Sequence, residues 1–134
     1  MARNYIMEGK YRLANMVMKI RIDPLDKLVS EYVRKRSGGY CERCGKYYGW
    51  KGLQACHFHG RSKRSVRYDE DNLVALDFGC HQFLDSHPLE KVEFFKTRLG
   101  ERGFNMLNSR MRGMEKVDRK LLELYYQNKI KEGK

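Results

Sequence analysis

An α+β fold is predicted for this chain, on three observations. Leu53 to His59 and Leu73 to Leu76 read as two short strands separated by a polar loop. A helical segment follows the second strand at once. Ahead of the first strand stands the turn Cys41-Glu42-Arg43-Cys44, which has the spacing of a zinc knuckle. At 134 residues and 41% hydrophobic the chain fits one small domain, and a core of that size often needs a staple.

Residues 1–22 are assigned to a basic N-terminal arm, and residues 23–134 to a single domain with its core at 37–90. The first helix opens at Asp23, a capping residue, with Pro24 in its first turn and Asp26 at the positive end of its dipole. Leu25, Leu28, Val29, Tyr32 and Val33 fall on one face, and Ser37-Gly38-Gly39 ends the helix. Tyr47, Tyr48 and Trp50 follow the knuckle and are assigned to core packing rather than base stacking. Residues 60–72 read as the polar loop between the strands. The next helix starts near Gly79 and stops before Pro88, because proline disfavours α geometry at His87. Leu89 to Leu99 reads as another helix, ended by Gly100. A C-terminal helical extension runs from Val117 to Ile130, with Leu121, Leu124 and Tyr125 on its apolar side.

The 28 Lys and Arg residues outnumber the 17 Asp and Glu, giving a formal charge of +11. Such an excess suits a polyanion, either nucleic acid or an anionic membrane surface. No stretch approaches the roughly 18 apolar residues of a membrane span. The opening MARNYIMEGKYRLANMVMKI lacks the apolar run of a secretory signal. The expectation is a cytoplasmic protein with reduced thiols, where a CxxC pair means metal or redox chemistry more often than a disulfide. No βαβ pattern surrounds this pair, which favours metal.

Cys41 and Cys44 can therefore present two thiolates to one tetrahedral ion. Asp77-Phe78-Gly79-Cys80 repeats the spacing with aspartate in the first place. Three thiolates and a carboxylate carry the same formal charge as four thiolates. The expected structural Zn²⁺ site is thus Cys41, Cys44, Cys80 and Asp77, with Cys56, a histidine or water as alternatives to Asp77.

A second constellation is ordered along the chain. His57 ends the first strand, Asn72 lies fifteen positions on, and His81 nine beyond that. Asp85 follows four later, one helical turn from His81 on the same face. Arg61, Lys63, Arg64 and Arg67 lie between base and helix, where contact with phosphate is expected.

The segments ACHFHGR, YDEDNLVALDFGCH and QFLDSHP resemble the HNH endonucleases of the His-Me finger (ββα-metal) superfamily. The likeness covers roughly residues 37–90 and is to the small stand-alone proteins of that family often encoded by phages and mobile elements. It implies a ββα-metal core with a zinc knuckle, flanked by N- and C-terminal helices. It implies His57 as general base, and Asn72 as the residue that pins the loop and orients the His57 ring. Arg61 would reach the scissile phosphate. His81 and Asp85 would hold a catalytic Mg²⁺ or Mn²⁺. Where the family commonly has a ligand before the base, this chain has Cys56, so the third ligand lies between Cys56 and His59. The expected activity is metal-dependent hydrolysis of DNA in a bacterial or phage-infected host cell, by a monomer or homodimer. The alternative is a zinc-stabilised DNA-binding module without catalysis.

Overall fold

The computed structural model describes residues 22–114 and 116–133; the N-terminal arm, apart from Ile22, lies outside them. The elements run α1 (Pro24–Arg36), β1 (Gln54–His57), β2 (Leu73–Leu76), α2 (Phe78–Ser86), α3 (Pro88–Arg112) and α4 (Arg119–Lys131). Short 3-10 turns at Trp50–Gly52 and Glu70–Asn72 lead into the two strands. The expected α+β arrangement of a strand pair followed by a helix is present. The strands pair antiparallel, with Gln54 opposite Leu76, Ala55 opposite Ala75, Cys56 opposite Val74 and His57 opposite Leu73. All four residues of β2 are buried, so this strand is the centre of the core.

The core gathers Leu25, Val29, Tyr32 and Val33 of α1 against β2, as the spacing along α1 predicts. Leu84, Phe95 and Phe104 close it from the other side. Phe58, just past β1, tilts its ring against both Phe95 and Phe104, with centroids 5.1 and 5.3 Å away. Asp23 caps α1 by accepting the Leu25 amide at 3.0 Å. It also pairs with Arg119 of α4 at 2.6 Å and accepts from the Tyr68 hydroxyl. The Arg119 guanidinium, ahead of its other partners, holds the Asp23 carboxyl well below the usual carboxylate range. One capping residue thus ties α1, the inter-strand loop and the C-terminal helix together.

The polar inter-strand loop carries two buried anchors: Val66 is fully buried and Tyr68 nearly so. Three expectations are corrected. In α4 the inward face is Leu122, Tyr126 and Ile130, while Leu121, Leu124 and Tyr125 are exposed. The stripe is one residue out of register with the prediction. The Tyr126 hydroxyl donates to the Tyr68 carbonyl, and this buried bond sets the rotation of the helix. Gly100 does interrupt a helix, with φ 78° and ψ 162°, but helical geometry resumes beyond it to Arg112. Tyr47 and Tyr48 are exposed rather than core residues, because the knuckle projects from the domain. Tyr47 packs instead on Tyr40, edge to face at 5.1 Å.

Candidate functional site

The knuckle is shaped by short backbone bonds. Gly45 donates to the Cys41 carbonyl and Cys41 to that of Lys46, each at 2.9 Å. The Cys44 amide points at the Cys41 sulfur, 3.5 Å away. Glu42 anchors the turn to the sheet. Its amide donates to the Ala75 carbonyl at 2.9 Å, and its Oε2 accepts the Ala75 amide at 2.8 Å. The knuckle is therefore fastened beside the end of β2, where Asp77 and Cys80 lie.

Asp77 has two roles, one for each carboxylate oxygen. Oδ1 caps α2 by accepting the Cys80 amide at 2.7 Å. Oδ2 accepts from the Cys44 thiol at 3.0 Å. The capping bond thus fixes the carboxylate that faces the thiols. Ligand atoms of Cys41, Cys44, Asp77 and Cys80 all lie within 4.8 Å of one another, so the group can hold a metal ion. Tetrahedral edges in a mixed sulfur–oxygen zinc site are about 3.5–3.8 Å; the Cys44–Asp77 edge is shorter, at 3.0 Å, and every pair lies within 4.8 Å. Burial pushes the Cys80 thiol up to about 12, and the bond to Asp77 raises Cys44. Arg43 approaches the Cys80 sulfur at 3.3 Å while its guanidinium lies 4.2 Å over the Phe83 ring, ready to offset thiolate charge.

A second cluster joins Cys56, His81 and Asp85, whose ligand atoms also lie within 4.8 Å. His81 Nε2 is 3.3 Å from Asp85 Oδ2. Gln54, two residues before Cys56 and so on the same strand face, presents Oε1 to His81 Nδ1 at 2.8 Å. Lys91 takes the other carboxylate oxygen of Asp85 at 2.8 Å. Cys56 is fully buried, whereas Asp85 stays half exposed beside a shallow hollow lined by Gln54, Phe78, His81 and Gln82.

His57 follows Cys56 directly. Its Nε2 meets the Arg67 carbonyl at 3.2 Å. A carbonyl can only accept, so Nε2 carries the hydrogen and Nδ1 keeps the lone pair. Burial, the largest influence, lowers the His57 pKa from its ordinary value, with Arg61 adding to the fall. The ring is thus neutral at pH 7 with its basic nitrogen at Nδ1. Asn72 does not hold this ring directly. Fully buried, it donates to the carbonyls of His59 and Val66 at 2.9 and 3.1 Å and accepts the His59 amide at 2.8 Å. It closes the loop, and the loop's Arg67 carbonyl then orients His57.

Asn72→Leu would leave the His59 amide and carbonyl unpaired, at about 1–3 kcal/mol each, while the Val66 carbonyl keeps the Asp69 amide. The expected result is a loss of at least about 2 kcal/mol in denaturant unfolding, accompanied by faster amide exchange in residues 59–66. A variant as stable as the parent would show that the clamp is dispensable.

His59 joins neither cluster: its Nε2 meets Asn108 Oδ1 at 2.8 Å, which ties the loop to α3. Arg67 differs from the other predicted phosphate contacts. Its guanidinium is held by Asp26, and by Asp23 at 3.5 Å. Arg61, Lys63 and Arg64 are exposed. Lys63 and Arg64 line an open groove of about 780 Å³, whose opposite wall includes Lys116 and Arg119. Sequence reasoning missed Gln54, Lys91 and the Arg67 carbonyl. Of these only Gln54 carried a signal, its two-residue spacing from Cys56. No protein-family model, curated protein or solved structure matches the chain.

Proposed function

We propose that this protein is a metal-dependent endonuclease that hydrolyses phosphodiester bonds in DNA, with His57 as general base and a structural zinc ion at Cys41, Cys44, Asp77 and Cys80. The observation that carries the reading is the fixed tautomer of His57. A partly buried, neutral imidazole with a free Nδ1 lies one residue from a Cys56–His81–Asp85 cluster that fits a divalent ion.

In this reading His57 Nδ1 takes a proton from water. The oxygen forms a bond to phosphorus as the bond to the 3′ oxygen breaks, and the departing 3′ oxygen takes a proton from solvent water, giving a 5′-phosphate and a 3′-hydroxyl. His81, Asp85 and Cys56 would hold a divalent ion, which would supply charge neutralisation at the phosphate. Arg61 is exposed and lies close enough to His57 to depress its pKa, so it suits the scissile phosphate. Lys63, Arg64 and Lys116 on the groove walls suit the flanking phosphates.

A supercoiled plasmid incubated with the protein and a divalent ion tests this. One site cuts one strand, so open circles should precede linear DNA. A plasmid that stays supercoiled with every ion tried would end the reading. The pH profile is a further expected outcome. His57 works as a base only when neutral, and its pKa is lowered. The acid limb of kcat/KM should therefore fall below pH 6.5, with the rate level through pH 7.

One observation favours a second reading, a DNA-binding module without catalysis. The Lys91 ammonium already neutralises one oxygen of Asp85, as a bound cation would. That reading keeps salt-sensitive DNA binding and predicts no cleavage.

A further inference from the structure

The expected Mg²⁺ or Mn²⁺ does not match the donors that face one another at the second cluster. Magnesium requires oxygen donors about 2.0–2.1 Å away in an octahedron, which sets neighbouring donors about 2.9 Å apart. Here one donor is a fully buried thiol, and the nitrogen–oxygen edge from His81 to Asp85 is 3.3 Å. A tetrahedral zinc-like site with metal–donor distances near 2.05 Å has that edge at about 3.3–3.4 Å. The Cys56 sulfur is 4.0 Å from Asp85 Oδ1, the oxygen that Lys91 also holds, against a tetrahedral sulfur–oxygen edge of about 3.5 Å.

The protonation pattern adds an independent constraint. Gln54 Oε1 accepts, so His81 Nδ1 carries a hydrogen. Nε2 then turns a lone pair towards Asp85 Oδ2, itself only an acceptor. Two acceptors 3.3 Å apart require a proton or a metal ion between them. The Cys56 thiol, converging on the same point from β1, is the donor that suits a metal ion and that a shared proton would not need. Three protein donors with an open position on a half-exposed side is the arrangement of a reactive rather than a closed metal site.

We infer that Cys56, His81 and Asp85 form a second site selective for a borderline, thiophilic divalent ion of the zinc or cobalt class over magnesium. Gln54 positions the His81 ring for it. The inference rests on the proposed reading only in using the same cluster; ion binding stands or falls without cleavage.

The test is cobalt(II) titration of the full chain after one equivalent of zinc has filled the knuckle site. The expected result is a thiolate-to-cobalt charge-transfer band that saturates at one further equivalent. Cys56→Ser should abolish that band and leave the first metal bound. Should zinc already fill both sites, elemental analysis would give two ions per wild-type chain and one in Cys56→Ser, which supports the inference equally. Cys56→Asp should raise magnesium affinity by at least about tenfold, because a hard donor replaces a soft one. The inference is overturned if the band is missing from a chain that holds one metal ion. A band of equal strength in Cys56→Ser, or magnesium affinity unchanged in Cys56→Asp, would overturn it too. A chain that binds the second ion yet never cuts DNA would leave this inference intact and remove the nuclease reading.

Discussion

Stripping the knuckle with a chelator is expected to lower the melting temperature by about 20 °C, the equivalent of about 5 kcal/mol in a chain of this size. The knuckle has little else to hold it. Residues 43–48 are exposed, and its attachments are a few backbone bonds and the Glu42 anchor. Zinc in small domains contributes about 10–16 kcal/mol of apparent binding energy, and part of it would become folding energy here. The rest of the core, from Leu25 to Phe104, lies on α1, β2 and α3 and limits the loss. Calorimetry of metal-loaded and chelated protein, with elemental analysis, measures it. Equal melting temperatures, or purified protein without zinc, would remove the structural ion.

The same site should show a steep pH dependence. Without metal, burial keeps the Cys80 proton on well above neutrality, and Cys44 is raised as well. Each must lose its proton to bind, so apparent affinity should fall by about tenfold per thiol for each unit that pH drops. Asp77→Asn separates the two tasks of that residue. Asparagine caps a helix as well as aspartate, so α2 should persist while metal affinity weakens.

His57→Ala is expected to slow DNA cleavage by about 10²–10⁴-fold, the usual contribution of a positioned general base. DNA binding should be unchanged, because the exposed cations are elsewhere. Melting should shift little: the ring is only partly buried, and the bond lost is the one to the Arg67 carbonyl. The comparison to make is single-turnover cleavage beside binding at fixed salt. Undiminished cleavage would reassign the base; a parallel loss of binding would make His57 a contact rather than a base.

The chain by itself determined the α1 face, the two strands, the break at Gly100 and the thiol spacing. These depend on local rules: side-chain periodicity, capping, glycine at positive φ, and the reach of a CxxC turn. It also marked His81 and Asp85 as neighbours, since four residues make one helical turn. Only the tertiary structure decided what those groups face. The rotation of α4 follows a bond from Tyr126 to Tyr68, and two adjacent apolar stripes in its sequence could not choose between themselves. Arg67, one cation among four in the loop, is drawn inward because Asp23 and Asp26 happen to meet it from α1. The free nitrogen of His57 depends on a carbonyl ten residues away, and the pairing of Cys56 with Asp85 depends on how α2 lies across β1. Such choices arise between elements distant in sequence, where periodicity carries no information and packing fixes which polar groups find partners.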